Sequence, residues 1–218
     1  MGIYLEALLL YIILFFSGST GSIVNTQAVQ GFSSQAELAK IFFYSIPSLA
    51  LVWYLLLRVK NAKAWNIKPS KNDLYSGLIT LPCLLINGFS IAFISSYIGE
   101  TTVQVPLHSP STAYGWVILS FSCICAAYLE ESFFRFYLLS RRDDLKLSTI
   151  SAVTISVALF SICHIYEGPW GVLNSFLSAV ILAFIFLRYR SIHGIAIAHS
   201  LYNIAVYAIN PLLIEGIG

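Results

Sequence analysis

The sequence predicts an all-α fold, a polytopic transmembrane bundle of about seven helices in a single integral-membrane domain spanning residues 1–218. Three observations carry that prediction. The chain is 58% hydrophobic and 10% charged, with a mean hydropathy of +0.80, whereas a soluble domain is roughly 45–50% apolar and about 25% charged. Apolar runs close to the roughly 20 residues that cross a hydrocarbon core recur along the whole chain, separated by short polar joints. Ten of the twelve basic residues fall in alternate joints.

The expected spans, in order, are Ile3 to Ser17, Leu38 to Leu57, Leu74 to Ile98, Tyr114 to Ser140, Thr149 to Tyr166, Gly171 to Leu187 and Ile195 to Leu212. The first and sixth are short. The first carries Glu6, has no basic start and ends in Gly-Ser-Thr-Gly-Ser with no Ala-x-Ala pattern, which favours a retained helix over a cleaved signal peptide. Arg58, Lys60, Lys63, Lys68 and Lys71 surround the joint after helix two, Arg141, Arg142 and Lys146 follow helix four, and Arg188 and Arg190 follow helix six. The opposite joints, Gly18 to Glu37, Gly99 to Ala113 and Glu167 to Trp170, hold no lysine or arginine. Positive charge stays on the cytoplasmic side, so the N-terminus is expected inside and the C-terminus outside; the short loops favour the plasma membrane of a prokaryote. The net charge of +2 is therefore a topology signal and not a nucleic-acid footprint; the run from Lys60 to Lys71 suits anionic lipid. Cys83, Cys123, Cys125 and Cys163 lie in apolar runs without C-x-x-C pairing and read as buried hydrophobes.

The chemistry is then sought inside the membrane, because a charge at mid-bilayer costs at least about 2.5–3.5 kcal/mol and persists where it is paired or used. The stretch "AAYLEESFFRFYLL", Ala126 to Leu139, puts three such charges in an otherwise apolar helix. At about 100° per residue, Glu131 and Arg135 lie about 40° apart, in the favourable order for an ion pair, while Glu130 lies about 140° from Arg135. Glu131 is thus tethered on its own helix and Glu130 points elsewhere, a candidate general base or acid. The structural alternative is that both glutamates glue helices together. "FSICHIYEG" adds Phe160 and His164 four apart on helix five, and "AIAHSLYN" adds His199 and Asn203 four apart on helix seven. Each pair alone is weak, since intramembrane histidines commonly serve as interhelical hydrogen-bond partners.

In this order on three separate helices, Glu130-Glu131-x-x-x-Arg135, Phe160-x-x-x-His164 and His199-x-x-x-Asn203 resemble the CPBP family of intramembrane proteases, which includes the type II CAAX prenyl endopeptidases and bacterial relatives tied to bacteriocin processing and immunity. The resemblance covers roughly Tyr114 to Tyr207, so residues 1–112 hold helices without motifs and 113–212 the catalytic helices, with the active site among helices four, five and seven. It implies that Glu130 and His164 activate a water for attack on a peptide carbonyl, that His199 and Asn203 stabilise the oxyanion, and that Glu131, Arg135 and Phe160 support them. Glu130, His164 and His199 also form a carboxylate and two imidazoles that a divalent metal such as zinc accepts, with water in a fourth position. Metal-free hydrolysis is preferred, because there is no H-E-x-x-H and Asn203 suits a second oxyanion donor.

Counting about 1.5 Å per residue from the cytoplasmic ends puts Glu130 about 15 Å deep, Asn203 about 13 Å, His199 about 7 Å and His164 about 22 Å. Convergence requires helix five to tilt, to begin below the surface, or to start later than Thr149, and the three shallower residues suit a wet cavity opening to the cytoplasm. His193 is expected to be solvated and His108 to sit in an outer loop, while Glu6, Asn87 and Glu167 read as hydrogen-bond partners. Trp53, Tyr54, Trp65, Tyr114, Trp116, Tyr166 and Trp170 read as interfacial anchors, and Pro47 and Pro82 as kinks. The favoured function is an intramembrane endopeptidase acting on a membrane-associated or lipid-modified peptide near the cytoplasmic leaflet. A non-proteolytic immunity or scaffold protein of the same fold is the alternative. A proton-coupled transporter comes third, since no inverted repeat is visible.

Overall fold

The computed structural model describes residues 2–16, 31–58, 68–98 and 108–215. Ser17, Lys60, Lys63 and Trp65, with residues 18–30 and 99–107 of the two outer joints, lie outside the described residues. Among the described residues the chain is all-α, with seven helices and no strand. They are α1 (Ile3–Tyr11, continued by a π-helical turn Ile12–Phe16), α2 (Ser34–Leu57), α3 (Lys71–Ile98), α4 (Ala113–Ser140), α5 (Thr149–Cys163), α6 (Gly168–Tyr189) and α7 (Ile192–Glu215). Five are long and apolar enough to cross a membrane; α1 and α5 are shorter. The short helices are thus the first and fifth, not the first and sixth.

That difference has a local cause. The α5 segment ends at Cys163, and a single 3₁₀ turn, Ile165–Glu167, leads to Gly168 at φ 78°, a backbone conformation that glycine adopts without strain. Pro169 then occupies the first turn of α6, where its missing N–H leaves no bond unmade. Tyr166 and the Gly-Pro pair therefore belong to a corner and a helix start, which lengthens α6 at the expense of α5.

Polar residues just ahead of the apolar runs set the other starts. Ser33, Thr112 and Ser148 accept hydrogen bonds from the backbone N–H groups of Ala36, Gly115 and Ser151, satisfying orphan amides at three helix N-termini. At α3 the Asp73 carboxylate accepts from the Ser70 N–H at 2.5 Å while the Asp73 N–H reaches the Ser70 carbonyl at 3.0 Å, so the helix begins three residues before Leu74. Pro47 follows a π-helical turn, Ile41–Ser45, and lies in the first turn of the helical stretch that resumes at Ile46.

Helix α4 is the most buried of the five long helices. Leu129 and every residue from Glu131 to Arg141 are buried, which makes this helix the axis of the bundle. Its second half contains a π-helical turn, Ser132–Tyr137, directly after the two glutamates. Two neighbours grip this turn: Trp53 of α2 donates its indole N–H to Ser132 Oγ at 2.9 Å, and Ser156 of α5 donates to the Phe134 carbonyl at 2.7 Å. Trp53 also packs edge-on against Phe136, so it is a core residue and not an interfacial anchor. Phe133, Phe134, Phe136 and Tyr137 join Tyr11, Phe15, Phe160 and Phe186 in one aromatic core. Glu6 of α1 closes the adjacent end, accepting from Tyr137 Oη and Arg141 Nη1, both at 2.6 Å.

Helix α7 packs on α3 and α4, α6 lies against α3 and α5, and α2 against α4. The α6–α7 joint is two residues long. Arg190 takes a left-handed conformation at φ 52° and returns its N–H to the Phe186 carbonyl, and Ser191 is tied to Asp73 of α3. His193 pairs with Tyr128 Oη at 3.2 Å across the α4–α7 contact, so it is half-buried and engaged where solvation was expected. Phe43, Phe93 and Phe184 point outward and are exposed, as lipid-facing side chains of a membrane bundle are.

The tightest helix contact sits at Gly194, where an added Cβ would lie 2.1 Å from the Asp73 carbonyl oxygen and 2.1 Å from Ser76 Oγ. Gly194→Ala is therefore expected to force α3 and α7 apart and cost about 1–3 kcal/mol, the usual range for overpacking. A lower thermal midpoint in detergent checks it, with Gly31→Ala, which meets nothing within 4 Å, as the unperturbed control.

Candidate active site

Glu131 is fully buried and its Oε1 takes two partners. Arg135 Nη1 lies at 3.2 Å, one turn along α4, and His199 Nδ1 at 2.8 Å, from α7. The Arg135 guanidinium, itself fully buried, also donates from Nη2 to the Ala179 carbonyl of α6 at 3.5 Å and lies 4.4 Å above the ring of Phe160. One carboxylate, one guanidinium and one aromatic face thus join four helices. The i,i+4 pairing expected from the sequence is present; the bond to His199 is the part that helical geometry alone does not reveal.

That bond sets the state of the histidine. A carboxylate accepts only, so His199 Nδ1 carries the proton, and Nε2 is the nitrogen turned toward Glu130 Oε2 at 3.7 Å. Glu130 is half-buried and has its contact with an imidazole, not with Arg135. The same reasoning applies to His164. It sits just past the end of α5 at φ −100°, ψ 13°, with Nδ1 at 2.7 Å from the Phe160 carbonyl, an acceptor that requires Nδ1–H and leaves Nε2 with its lone pair in the neutral ring. The ring is packed on that of Phe160 with centroids 4.6 Å apart. Phe160 therefore touches three site residues, His164, His199 and Arg135.

Glu130, His164, His199 and Asn203 all line one cavity of about 380 Å³. They are brought together despite the unequal depths counted from the sequence. Helix α7 starts at Ile192, three residues early, which moves His199 to about 10 Å and Asn203 to about 16 Å from the basic end, close to the roughly 15 Å of Glu130. Helix α5 does start at Thr149, capped by Ser148, so a later start is not the reason that His164 converges. Its position one residue past the last helical turn, against Phe160, brings it to the cavity.

The walls are broader than helices four, five and seven. Leu84, Gly88 and Ala92 of α3, Glu37 and Lys40 of α2 and Asn174 and Ser178 of α6 also line the cavity. Glu37 accepts from Ser122 Oγ at 2.5 Å and pairs with Lys40 at 3.7 Å. Below the wall, Asn87 donates to Asn174 Oδ1 at 2.9 Å and Ser178 Oγ at 3.0 Å, and Asn174 donates to Tyr202 Oη at 3.1 Å. Tyr166, Glu167 and Trp170, expected as anchors or a bland partner, face the same cavity. Gly171 leaves room for Glu167, whose Cβ would lie 2.3 Å from any added at 171. The signal was present: Glu167 follows His164 by three residues, the repeat of the 3₁₀ turn they share.

The cavity also occupies the half of the bundle away from the basic joints. Its lining begins at Leu84 on α3, Glu130 on α4, Ser178 on α6 and His199 on α7, and continues to Ala92, Leu119, Trp170 and Ile209. An opening toward the end that carries the basic joints, expected from depth alone, does not match this. The aromatic core around Phe133, Phe134, Phe136 and Phe186 fills that end.

The carboxylate and two imidazoles were also a candidate metal set. Among the described residues no three His, Cys, Asp or Glu side chains gather as a metal ion requires. His199 Nδ1 donates to Glu131 and His164 Nδ1 to a carbonyl, the pattern that leaves each Nε2 to act as a ligand, so a metal would be held by the two Nε2 atoms and Glu130.

Residues 112–205 match the family profile described as type II CAAX prenyl endopeptidase Rce1-like. The match spans under half of the 218-residue chain and supports kinship with the CPBP group that the motifs resemble. The matched residues run from the N-cap of α4 to just past Asn203 and contain all seven motif residues; α1 to α3 lie outside. No curated protein and no solved structure matches the chain. That profile describes membrane proteases; the five long apolar helices mark this chain as a multi-pass membrane protein.

Replacing Arg135 by leucine leaves the buried Glu131 without its permanent cation. The expected loss is about 3–5 kcal/mol, as for other broken buried pairs. Thermal unfolding in detergent checks it, and Glu131→Leu combined with Arg135→Leu is expected to recover part of that loss, since the uncompensated charge is then gone.

Proposed function

We propose that the chain is an intramembrane endopeptidase that hydrolyses a peptide bond of a membrane-associated or lipid-modified peptide with a water activated by Glu130 and His164. The observation that carries this reading is the division of labour between adjacent glutamates: Glu131 is occupied by Arg135 and His199, while Glu130 faces a cavity lined also by His164, His199 and Asn203.

Water is a poor nucleophile, and a carboxylate at hydrogen-bond range takes its proton as the oxygen attacks the peptide carbonyl. Glu130 is that base, and His164 orients the water through Nε2, the nitrogen left over once Nδ1 is bound to the Phe160 carbonyl. The carbonyl oxygen becomes an oxyanion. Asn203 donates to it from its amide, and His199 donates from Nε2 when its ring is protonated at both nitrogens, a state for which Glu131 is the counter-ion. The proton held by Glu130 passes to the leaving amine as the C–N bond breaks, which restores the carboxylate. No covalent enzyme intermediate forms. A divalent metal held by Glu130, His164 and His199 would polarise the carbonyl or the water instead.

Glu130→Gln is expected to abolish cleavage of a membrane-peptide panel in detergent while the protein still inserts and folds. Wild type and variant equally inert would turn the reading to a binding protein of the same fold. Asn203→Ala is expected to lower kcat by about 10²–10³, the usual effect of removing one oxyanion donor. Cleavage that survives a chelator supports the metal-free route, and activity lost to the chelator and restored by zinc supports the metal route.

A further inference from the structure

We infer that the substrate reaches the catalytic residues from the membrane face opposite the basic joints, so that it is a peptide presented at the extracytoplasmic side and not a chain tethered to the cytoplasmic leaflet. This rests on the peptidase reading above and adds the side from which the peptide comes.

Two independent observations meet here. The first is charge. Of twelve lysines and arginines, ten lie in the three joints at residues 58–71, 141–146 and 188–190, and the exceptions are Lys40 and the buried Arg135. Such a bias assigns those joints to the cytoplasm. The second is the place of the cavity. Its residues nearest the basic joints, Leu84, Glu130, Ser178 and His199, lie about 10–20 Å from that end, and its furthest, Leu119, Glu37, Ala92 and Trp170, about 28–33 Å, at 1.5 Å per residue. With a hydrocarbon core of about 30 Å, the cavity runs from mid-membrane to the outer surface.

The cytoplasmic side offers no comparable route among the described residues. Between the glutamates and the basic joints lie Phe133, Phe134, Phe136, Tyr137, Leu182 and Phe186, each at most 2% exposed. A peptide from the cytoplasm would have to part this cluster. At the other end the lining carries Glu37, Lys40 and Glu167, polar groups that suit a hydrated peptide backbone better than an acyl chain. Lys40 is half-exposed there, the one lysine or arginine among the described residues at that end of the bundle.

Single-cysteine chains test this in intact cells. In a background with Cys83, Cys123, Cys125 and Cys163 changed to serine, Lys40→Cys at the cavity mouth and Asp143→Cys in the α4–α5 joint are exposed to a membrane-impermeant maleimide. The expected result is labelling of position 40 before permeabilisation and of position 143 only after it. The reverse pattern overturns the inference. Should the serine background fail to accumulate, the same two substitutions in the native chain, read as labelling above the parent, decide it. In vesicles of known orientation, cleavage of a peptide supplied at the Lys40 side alone supports the inference, and cleavage only from the Asp143 side overturns it. The maleimide pattern needs no catalysis, so expected labelling without cleavage from either side upholds the access route while removing the peptidase reading.

Discussion

One buried carboxylate governs the arrangement of this bundle. Glu131 sits where no water competes for it, and its Oε1 holds an arginine from its own helix and a histidine from α7. A charge in that position is tolerated only with partners in place, so α4 and α7 dock in one register and Arg135 must reach across to Ala179 and Phe160. The consequence falls on its neighbour. With Glu131 engaged, Glu130 turns to the cavity, and the histidine that Glu131 orients presents its other nitrogen there.

The surrounding packing serves that constraint. The π-helical turn after the glutamates places Phe133, Phe134, Phe136 and Tyr137 in one aromatic mass, and Trp53 and Ser156 bond to that turn from two neighbouring helices. Dense and apolar, this mass separates the site from the basic end of the bundle. The cavity above it sets three glutamates, two histidines, asparagines and tyrosines among a larger number of apolar side chains. A hydrolase inside a membrane needs such asymmetry, because water must be admitted to the reacting bond without a path through the bilayer.

Much of this was legible in residues alone. The apolar runs separated by polar joints specified seven helices, and the spacing of Glu131 and Arg135 specified their pairing. The three motifs nominated seven residues on three helices, and the profile match over residues 112–205 contains them all. Where reading failed, the cause was local backbone geometry or a distant partner. Helix ends moved because Ser70 with Asp73 caps α3, and Gly168 with Pro169 turns the chain into α6, with residues that look like loop in a hydropathy window. His193 looked solvated because its partner, Tyr128, is 65 residues away. Tyr166, Glu167 and Trp170 looked interfacial because sequence reports depth in the membrane and not which side of a helix faces a cavity.

The sequence by itself determined the class of the protein and the number of its helices, and it nominated the candidate catalytic groups. Those properties follow from composition and from contacts within one helix, which short-range spacing encodes. Only the tertiary structure decided that Glu131 also binds His199, that Glu130 lies within 3.7 Å of that ring, that α2, α3 and α6 complete the cavity wall, and that the cavity occupies the half of the bundle away from the basic joints. Each of these depends on how helices far apart in the chain rotate and slide against one another, and packing alone sets that.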